Sequence, residues 1–433
     1  MILKHQNQIE GVEVFAITSP FYPNRISMSS SVEHDGIRYV RCTHPLFRKG
    51  KLSPSLRLIR KLTKSHPQKE SSDVGEKNII KKAFDFIYFG LFKCGRILKK
   101  PFQIPYKVWE ERVLMKDFES QIFEFIKNHE IDVVHAHTPY RAGIPALNAA
   151  KRSGKFFVYE MRGLWEETAV ANGRWKRNGL AYSRYRRLES KTLKGADKIV
   201  AISNELREEI ISRKIPENKI SIVPNGIELS DSNIVSSSFQ KIQNQLNQLQ
   251  GDLTIGYIGS LRKLEGVDQT VTAVSKLVER GHNVKFFCLT GNNGQEDLIR
   301  HAKTIGLENR ALITGPVPHL EINQFYDLID IFVVSRPDFP VTRLVTPLKP
   351  FEAMARSLPV VVTNLPALTE IISSKETGIV TEDNELASLV ESIENLLLDS
   401  ELRKRLGEQA RIWVETERSW DKLVQTYTTV YSD

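Results

Sequence analysis

The sequence predicts an α/β protein of two parallel-sheet, Rossmann-like domains facing each other across a cleft. Three observations lead there. The chain has 433 residues, too many for one ordinary core, so two domains are the starting expectation. Strand-like runs alternate with helical patterns in two separate series, as parallel sheets covered by helices require. Between the series lies a stretch rich in Ser, Asn and Gln, residues 230–250, which reads as a linker holding a short helix.

The first series fills an expected domain at 1–229. Its strand candidates are VEVFAIT (12–18), GIRYVRC (36–42), DVVHAH (132–137), KFFVYE (155–160), DKIVAIS (197–203) and ISIVPNG (220–226). The second series fills 251–414, starting at LTIGYIG and continuing through VKFFCLTG, ALITGPV, IDIFVVS and LPVVVTN to about Gly378. A closing helix is expected from about Glu401 to Tyr431, with 415–433 packing back toward the first domain. A βαβ unit takes about 30 residues. The first strand candidate comes so early that the first domain is expected to lack its innermost strand.

Composition narrows the class. Hydrophobic residues make up 41% and charged residues 26% of the chain, a globular balance. Cys42, Cys94 and Cys288 are far apart and show no metal-ligand spacing, so free thiols in a reducing compartment are expected. The opening MILKHQNQIEG has no apolar core of the length a secretory signal needs. The most apolar run, AFDFIYFGLF (83–92), is too short to span a bilayer and carries Asp85. A cytoplasmic location follows as the expectation. Residues 48–116 hold 18 Lys/Arg against 6 Asp/Glu, an excess of 12 cations in a chain whose net charge is +9. Within this insert Ile80, Phe84, Ile87 and Leu91 share one helical face flanked by Lys81, Lys82, Lys93, Lys99 and Lys100. An anionic inner leaflet is the partner this pattern suggests; a helix packed on its own domain fits as well. No nucleic-acid signature accompanies the charge.

The densest motif is VTPLKPFEAMARSLPVVVTNLPALTEII, 345–372, a loop leading into a helix near Pro350. A helix start offers free N–H groups and a positive dipole end, which suit phosphate. Glu352 in its first turn can accept two hydrogen bonds from a ribose cis-diol, and Lys349 beside it adds a cation. Both also fit plain structural roles, one facing the helix dipole and the other water. In IGYIGSLRKLEGVDQTVTAV (255–274), Arg262 and Lys263 sit in a loop after a strand and can neutralise a diphosphate. The stretch is not a dinucleotide fingerprint, since G-x-G-x-x-G is absent. The TGPVPH loop around Val317 and Arg336 after IFVVS both follow strand ends, where open α/β sheets bind ligands. In the first series, HAH puts His137 at a strand end and His135 toward the core. VYEMRGLWEE brings Glu160, Arg162 and Trp165 to the next strand end. These three fit either sugar recognition or a structural ion pair with a packed Trp.

The VTPLKPFEAMA segment resembles the family-4 retaining glycosyltransferases, in a branch that builds exopolysaccharide and shares the YE-x-R-x-LWE stretch seen at Tyr159–Glu166. The resemblance spans nearly the whole chain apart from the basic insert. It implies the GT-B fold and a nucleoside-diphosphate sugar as donor. It also implies a glycan or lipid-linked glycan as acceptor in surface-polysaccharide assembly, with retention. By the same resemblance Glu352 holds the donor ribose, and the backbone at Thr346, Leu348 and Lys349 meets diphosphate and sugar. Val317 contacts the base, and His137 lies near the reacting sugar with Glu160 and Arg162 beside it. Three positions depart from the family pattern. Leu344 replaces a Glu eight residues before Glu352, with Arg343 next to it as a substitute phosphate ligand. Ser260 replaces the usual Arg among the donor contacts, and Glu265 replaces the usual Lys. No D-x-D metal site is present near the donor loops, and cations with helix dipoles can stabilise a departing diphosphate, so no metal is expected. Two rivals stay open: a nucleotide-sugar 2-epimerase of the same architecture, and a non-catalytic nucleotide-sugar-binding subunit of a polysaccharide machine.

Overall fold

The computed structural model describes residues 2–18, 31–42, 99–228, 236–291 and 293–432, without the side chains of 41 and 99–106. The proposed membrane face at 80–91, its flanking lysine side chains and Cys94 lie outside the described residues.

The chain forms two compact units, 13–134 with 140–157, and 1–12 with 135–139 and 158–433. The smaller unit holds strands β1 (Phe15–Thr18), β2 (Ser31–His34) and β3 (Ile37–Arg41) in the order β1–β3–β2. Strands β1 and β3 pair in parallel, while β2 runs antiparallel to β3. SVEH lacks an apolar alternation and forms an edge strand of this sheet. The helices Lys99–Asn128 and Tyr140–Ser153 belong to this unit. Leu114, Phe118, Ile122 and Ile126 recur at helical spacing and are buried, the single apolar stripe of a helix that covers a core.

A four-stranded sheet runs β4 (Val133–His137), β5 (Phe156–Met161), β6 (Lys198–Ala201), β7 (Ile220–Ile222) in that order, with β6 and β7 wholly in the larger unit. A six-stranded sheet is assembled from β8 (Leu253–Ile258), β9 (Val284–Leu289), β10 (Ala311–Thr314), β11 (Ile331–Val334), β12 (Val360–Val362) and β13 (Ile379–Val380). Its order is β10–β9–β8–β11–β12–β13, with every pair parallel. Strands covered on both faces read as unbroken apolar runs, and β9, β11 and β12 are buried at every residue. The helix Val267–Glu279 presents Val271, Val274 and Leu277 to the same core. Inside the expected linker, Ser237–Asn247 is a helix capped by Ser236, and its Phe239, Ile242 and Leu246 join the core of the six-stranded sheet.

The closing helix differs from expectation in one respect. It is three helices, Ser400–Glu417, Trp420–Leu423 and Thr426–Ser432. Ser419 ends the first run because the chain turns there to pair with Ile227. Gly226 makes the turn possible: a Cβ on it would stand 2.9 Å from the Arg418 carbonyl oxygen. Cys42 is buried, and Cys288 is a buried free thiol. Among the described residues no helix is long and apolar enough to cross a membrane.

Candidate active site

The ends of β4 and β5 carry a buried carboxylate enclosed by donors. Glu160 is wholly buried. Its Oε2 accepts from the Tyr427 hydroxyl at 2.7 Å, and its Oε1 accepts from the Arg162 guanidinium. His135 Nε2 lies 3.2 Å from Oε2 and His137 Nδ1 3.6 Å from Oε1, within ion-pair reach but outside hydrogen-bond alignment. The two imidazoles stack with centroids 4.8 Å apart, as residues i and i+2 of one strand can. Burial by itself would raise the Glu160 pKa. The charge of His137 and the contacts from both histidines outweigh it, and the carboxyl stays well below its ordinary range. The His135 pKa is lowered as well, here by burial, despite Glu160. Its Nδ1 is 2.9 Å from the Tyr431 hydroxyl.

Three of these groups offer ligand atoms within 4.8 Å of one another, His135, His137 and Glu160. The set is a poor cation site, because the Arg162 guanidinium already occupies Glu160 and would repel a metal ion. Glu160 has no exposed surface to offer a substrate. At this strand end His137 and Arg162 are partly open to solvent, with a third and a quarter of their side chains exposed.

Arg162 continues the network. It donates to Asn225 Oδ1 at 2.6 Å, and Asn225 Nδ2 donates to the Thr346 carbonyl at 3.3 Å. The 345–349 loop is therefore tied to the β5 end. It is held elsewhere by Ser203, whose hydroxyl donates to the Leu344 carbonyl at 3.2 Å, and by Arg336, which donates to the Val345 carbonyl at 3.0 Å. The Thr346 hydroxyl is buried with no partner.

Beside this loop one buried carboxylate meets three cations. Glu265 lies 3.2 Å from Arg336, 3.1 Å from Arg262 and 3.6 Å from Lys349. Burial would raise the Glu265 pKa, but the Arg336, Lys349 and Arg262 charges pull it below its ordinary value. Burial lowers that of Lys349, with Glu265 as the chief opposing group. The loop after β8 makes room for this lysine. Gly259 has φ +151°, and a Cβ there would stand 2.0 Å from Lys349 Cε. The cluster has two positive charges more than its carboxylate cancels, and with Arg336 and Lys349 largely buried an excess of that kind favours an anion.

Glu352 follows Lys349 on the six-residue helix Lys349–Met354. Its Oε2 accepts from the buried Tyr326 hydroxyl at 2.5 Å. Burial and the Glu352 charge push the Tyr326 pKa well above its ordinary value, so that hydroxyl remains a donor.

The remaining sequence candidates fall into two groups. Lys349, Glu352, Arg336, Arg262 and Thr346 come together, as do His137, Glu160 and Arg162. Ser260 is exposed at the rim, its hydroxyl 3.3 Å from Arg262 Nε and its carbonyl accepting from Tyr257 at 3.2 Å. Lys263 is exposed, Leu348 is 44% exposed, and Val317 packs partly on the core of the six-stranded sheet. Arg343 is exposed and bound at both ends by Asp338, each bond 2.5 Å, so its charge is already matched. Trp165 is 45% exposed, while its neighbours Glu166 and Glu167 are buried against Arg213 and Tyr182. Sequence reasoning missed Asn225, Tyr326, Tyr427 and Tyr431. The P-N-G turn at a strand end was a usable signal for Asn225. The tyrosines lie in ordinary amphipathic stretches and gave none.

Parallel sheets covered by helices give the architecture of a GT-B glycosyltransferase. Comparison with known proteins agrees. Residues 238–413 match the family model of glycosyl transferases group 1, and residues 91–231 match that of Glycosyltransferase Family 4. The capsular polysaccharide biosynthesis glycosyltransferase CapM of Staphylococcus aureus is 27% identical over 307 residues, 69% of this chain and 76% of that protein. Two solved structures share the fold. Sucrose-phosphate synthase of Thermosynechococcus elongatus superposes with TM-score 0.66 over 99% of this chain and 90% of its own, at 16% identity. HepE of Anabaena, solved in complex with UDP, does so with TM-score 0.60 over 72% and 81%, at 16% identity. The chain is a glycosyltransferase with the GT-B fold.

Proposed function

We propose that the protein transfers a sugar from a nucleoside-diphosphate sugar to a glycan or lipid-linked glycan in surface-polysaccharide biosynthesis, with retention at the anomeric carbon. The observation that carries the donor reading is the Glu265 cluster. Arg336, Lys349 and Arg262 share a single carboxylate, and a diphosphate would supply the missing negative charge. Glu352, on the same short helix as Lys349, is the acceptor for a ribose diol. The solved relative HepE holds UDP in one structure and UDP-glucose in another, and CapM is named for capsular polysaccharide synthesis; both agree with this reading.

The chemistry follows from what each group can do. As the glycosidic oxygen leaves, charge builds on the β-phosphate, where fixed cations lower the barrier most. Arg336 and Lys349 are in place before that charge develops, so they perform the role for which other enzymes recruit a metal ion, and we assign no metal. Glu160, the carboxylate beside His137, is enclosed by Arg162 and Tyr427 and is not placed to attack the sugar. Attack by the acceptor on the face the diphosphate leaves is then the route to retention, with His137 orienting a sugar hydroxyl. We place the enzyme at the cytoplasmic face of the membrane, with residues 48–116 as the basic attachment segment. Flotation with anionic liposomes, compared with a Lys-to-Glu variant of 80–100, tests that part.

The donor reading is tested by isothermal titration of UDP, GDP and their sugar conjugates into wild type and Lys349→Ala. One nucleotide class should bind wild type and lose at least about tenfold in affinity in the variant, the value of one charge-assisted hydrogen bond. Equal dissociation constants in the two proteins would overturn it.

A further inference from the structure

We infer that Tyr326 is a positioning residue for nucleotide recognition: its buried hydroxyl fixes the Glu352 carboxylate in the orientation that accepts a ribose diol. The inference rests on the donor reading above and adds a residue to it.

The geometry is one of division of labour between two oxygens. Tyr326 donates to Oε2 of Glu352 at 2.5 Å, leaving Oε1 and the second lone pair of Oε2 to accept from a ligand. A carboxylate on a flexible Glu side chain has three rotatable bonds, and holding it costs rotamer entropy each time a ligand binds. Tyr326 meets that cost during folding. The tyrosine is itself immobile: it is fully buried, and its ring lies against Phe332 with centroids 5.5 Å apart. Phe332 in turn stacks on Tyr257 at 6.1 Å, and Lys349 Nζ sits 5.7 Å from the Tyr257 ring centroid. One packed aromatic row thus lies beneath both the lysine and the glutamate, and fixes the spacing between a cation and a diol acceptor.

A hydroxyl that only filled space or stabilised the fold would affect every ligand alike. A hydroxyl that orients Glu352 affects ligands with a complete diol more than those without one. The experiment uses this difference. Dissociation constants of UDP, GDP and ADP, and of their 2′-deoxy counterparts, are measured by titration calorimetry. The proteins are wild type, Tyr326→Phe, Glu352→Ala and the double variant. Wild type should prefer the ribonucleotide of its own base by about tenfold or more, since a hydrogen bond to a charged group is worth about that much. Tyr326→Phe should reduce that preference to roughly threefold or less, while affinity for the 2′-deoxy ligand stays the same. In the Glu352→Ala background, Tyr326→Phe should have no further effect on the ratio. A Tyr326→Phe protein that weakens both ligands equally, or keeps the full ribose preference, would overturn the inference while leaving the donor reading intact. Absence of any ribose preference in wild type would overturn the Glu352 reading and this inference with it. Circular dichroism of each variant verifies that the isosteric change leaves the fold in place, and the Glu352→Ala comparison supplies the same contrast through the carboxylate itself.

Discussion

Replacing Glu265 with glutamine separates what the cation cluster does for the fold from what it does for a ligand. The carboxylate is fully buried and shared by Arg336, Lys349 and Arg262, of which Arg336 and Lys349 are themselves largely buried. Removing one partner of a buried ion pair costs about 3–5 kcal/mol. The lower end applies here. Arg262 is half exposed and can be repaid by water. Lys349, already lowered by burial, loses the group that chiefly opposes that shift and can shed its proton. Arg336 keeps its bond to the Val345 carbonyl. A loss of about 3 kcal/mol corresponds to a fall in melting temperature of roughly 6–12 °C at the 2–4 °C per kcal/mol of a large domain. A bound nucleoside diphosphate should then restore more stability than it gives wild type, because its phosphates take the place of the missing carboxylate. At a hundred times its dissociation constant a ligand adds about 2.7 kcal/mol. The increment in Glu265→Gln should exceed the wild-type one by at least about 1.4 kcal/mol, a tenfold gain in affinity. Differential scanning calorimetry with and without UDP or GDP measures both numbers. A variant that loses stability and also gains less from the nucleotide refutes the reasoning, since the cations would then be serving the fold alone.

Other consequences are equally direct. Gly259→Ala forces a side chain into a φ of +151° and onto Lys349 Cε; it should cost about 1–3 kcal/mol in strain and weaken nucleotide binding, and an unchanged affinity would show that Lys349 is not a ligand. Tyr427→Phe removes the 2.7 Å donor to buried Glu160 and should lower the unfolding free energy by about 1.5–3 kcal/mol, against about 0.5–1.5 for Tyr431→Phe, whose partners are the uncharged His135 ring and the Gln6 amide; urea titration orders the two. Acid should destabilise the protein in two stages. The His135 pKa is depressed from 6.5, so its contribution is complete above that pH and is lost as pH falls below it; Glu160 and Glu265, depressed from 4.5, behave alike below 4.5. Urea midpoints from pH 8 to pH 4 should show the first stage vanish in His135→Asn. Arg343→Ala should leave nucleotide affinity unchanged, because Asp338 already holds that guanidinium.

Reading the chain as sequence gave the two-sheet architecture because parallel strands buried on both faces leave continuous apolar runs such as VKFFCL and IFVV. It also singled out Glu352, Lys349, His137, Glu160 and Arg162 as candidates, since polar residues at strand ends and at the first turn of a helix are local features. Tertiary structure decided which of them share a site. Glu265 reads in sequence as the loss of a cation; only in space does it prove to be the centre around which Arg336, Lys349 and Arg262 gather, residues up to 84 positions away. Arg343 had the right charge in the right loop, and Asp338, five residues before it, had taken that charge up. Tyr427 reaches Glu160 across 267 positions, a contact made by the packing of the last helix. A local pattern fixes where a side chain leaves the backbone. What meets it there depends on how distant elements pack, and burial then sets the energy of the meeting.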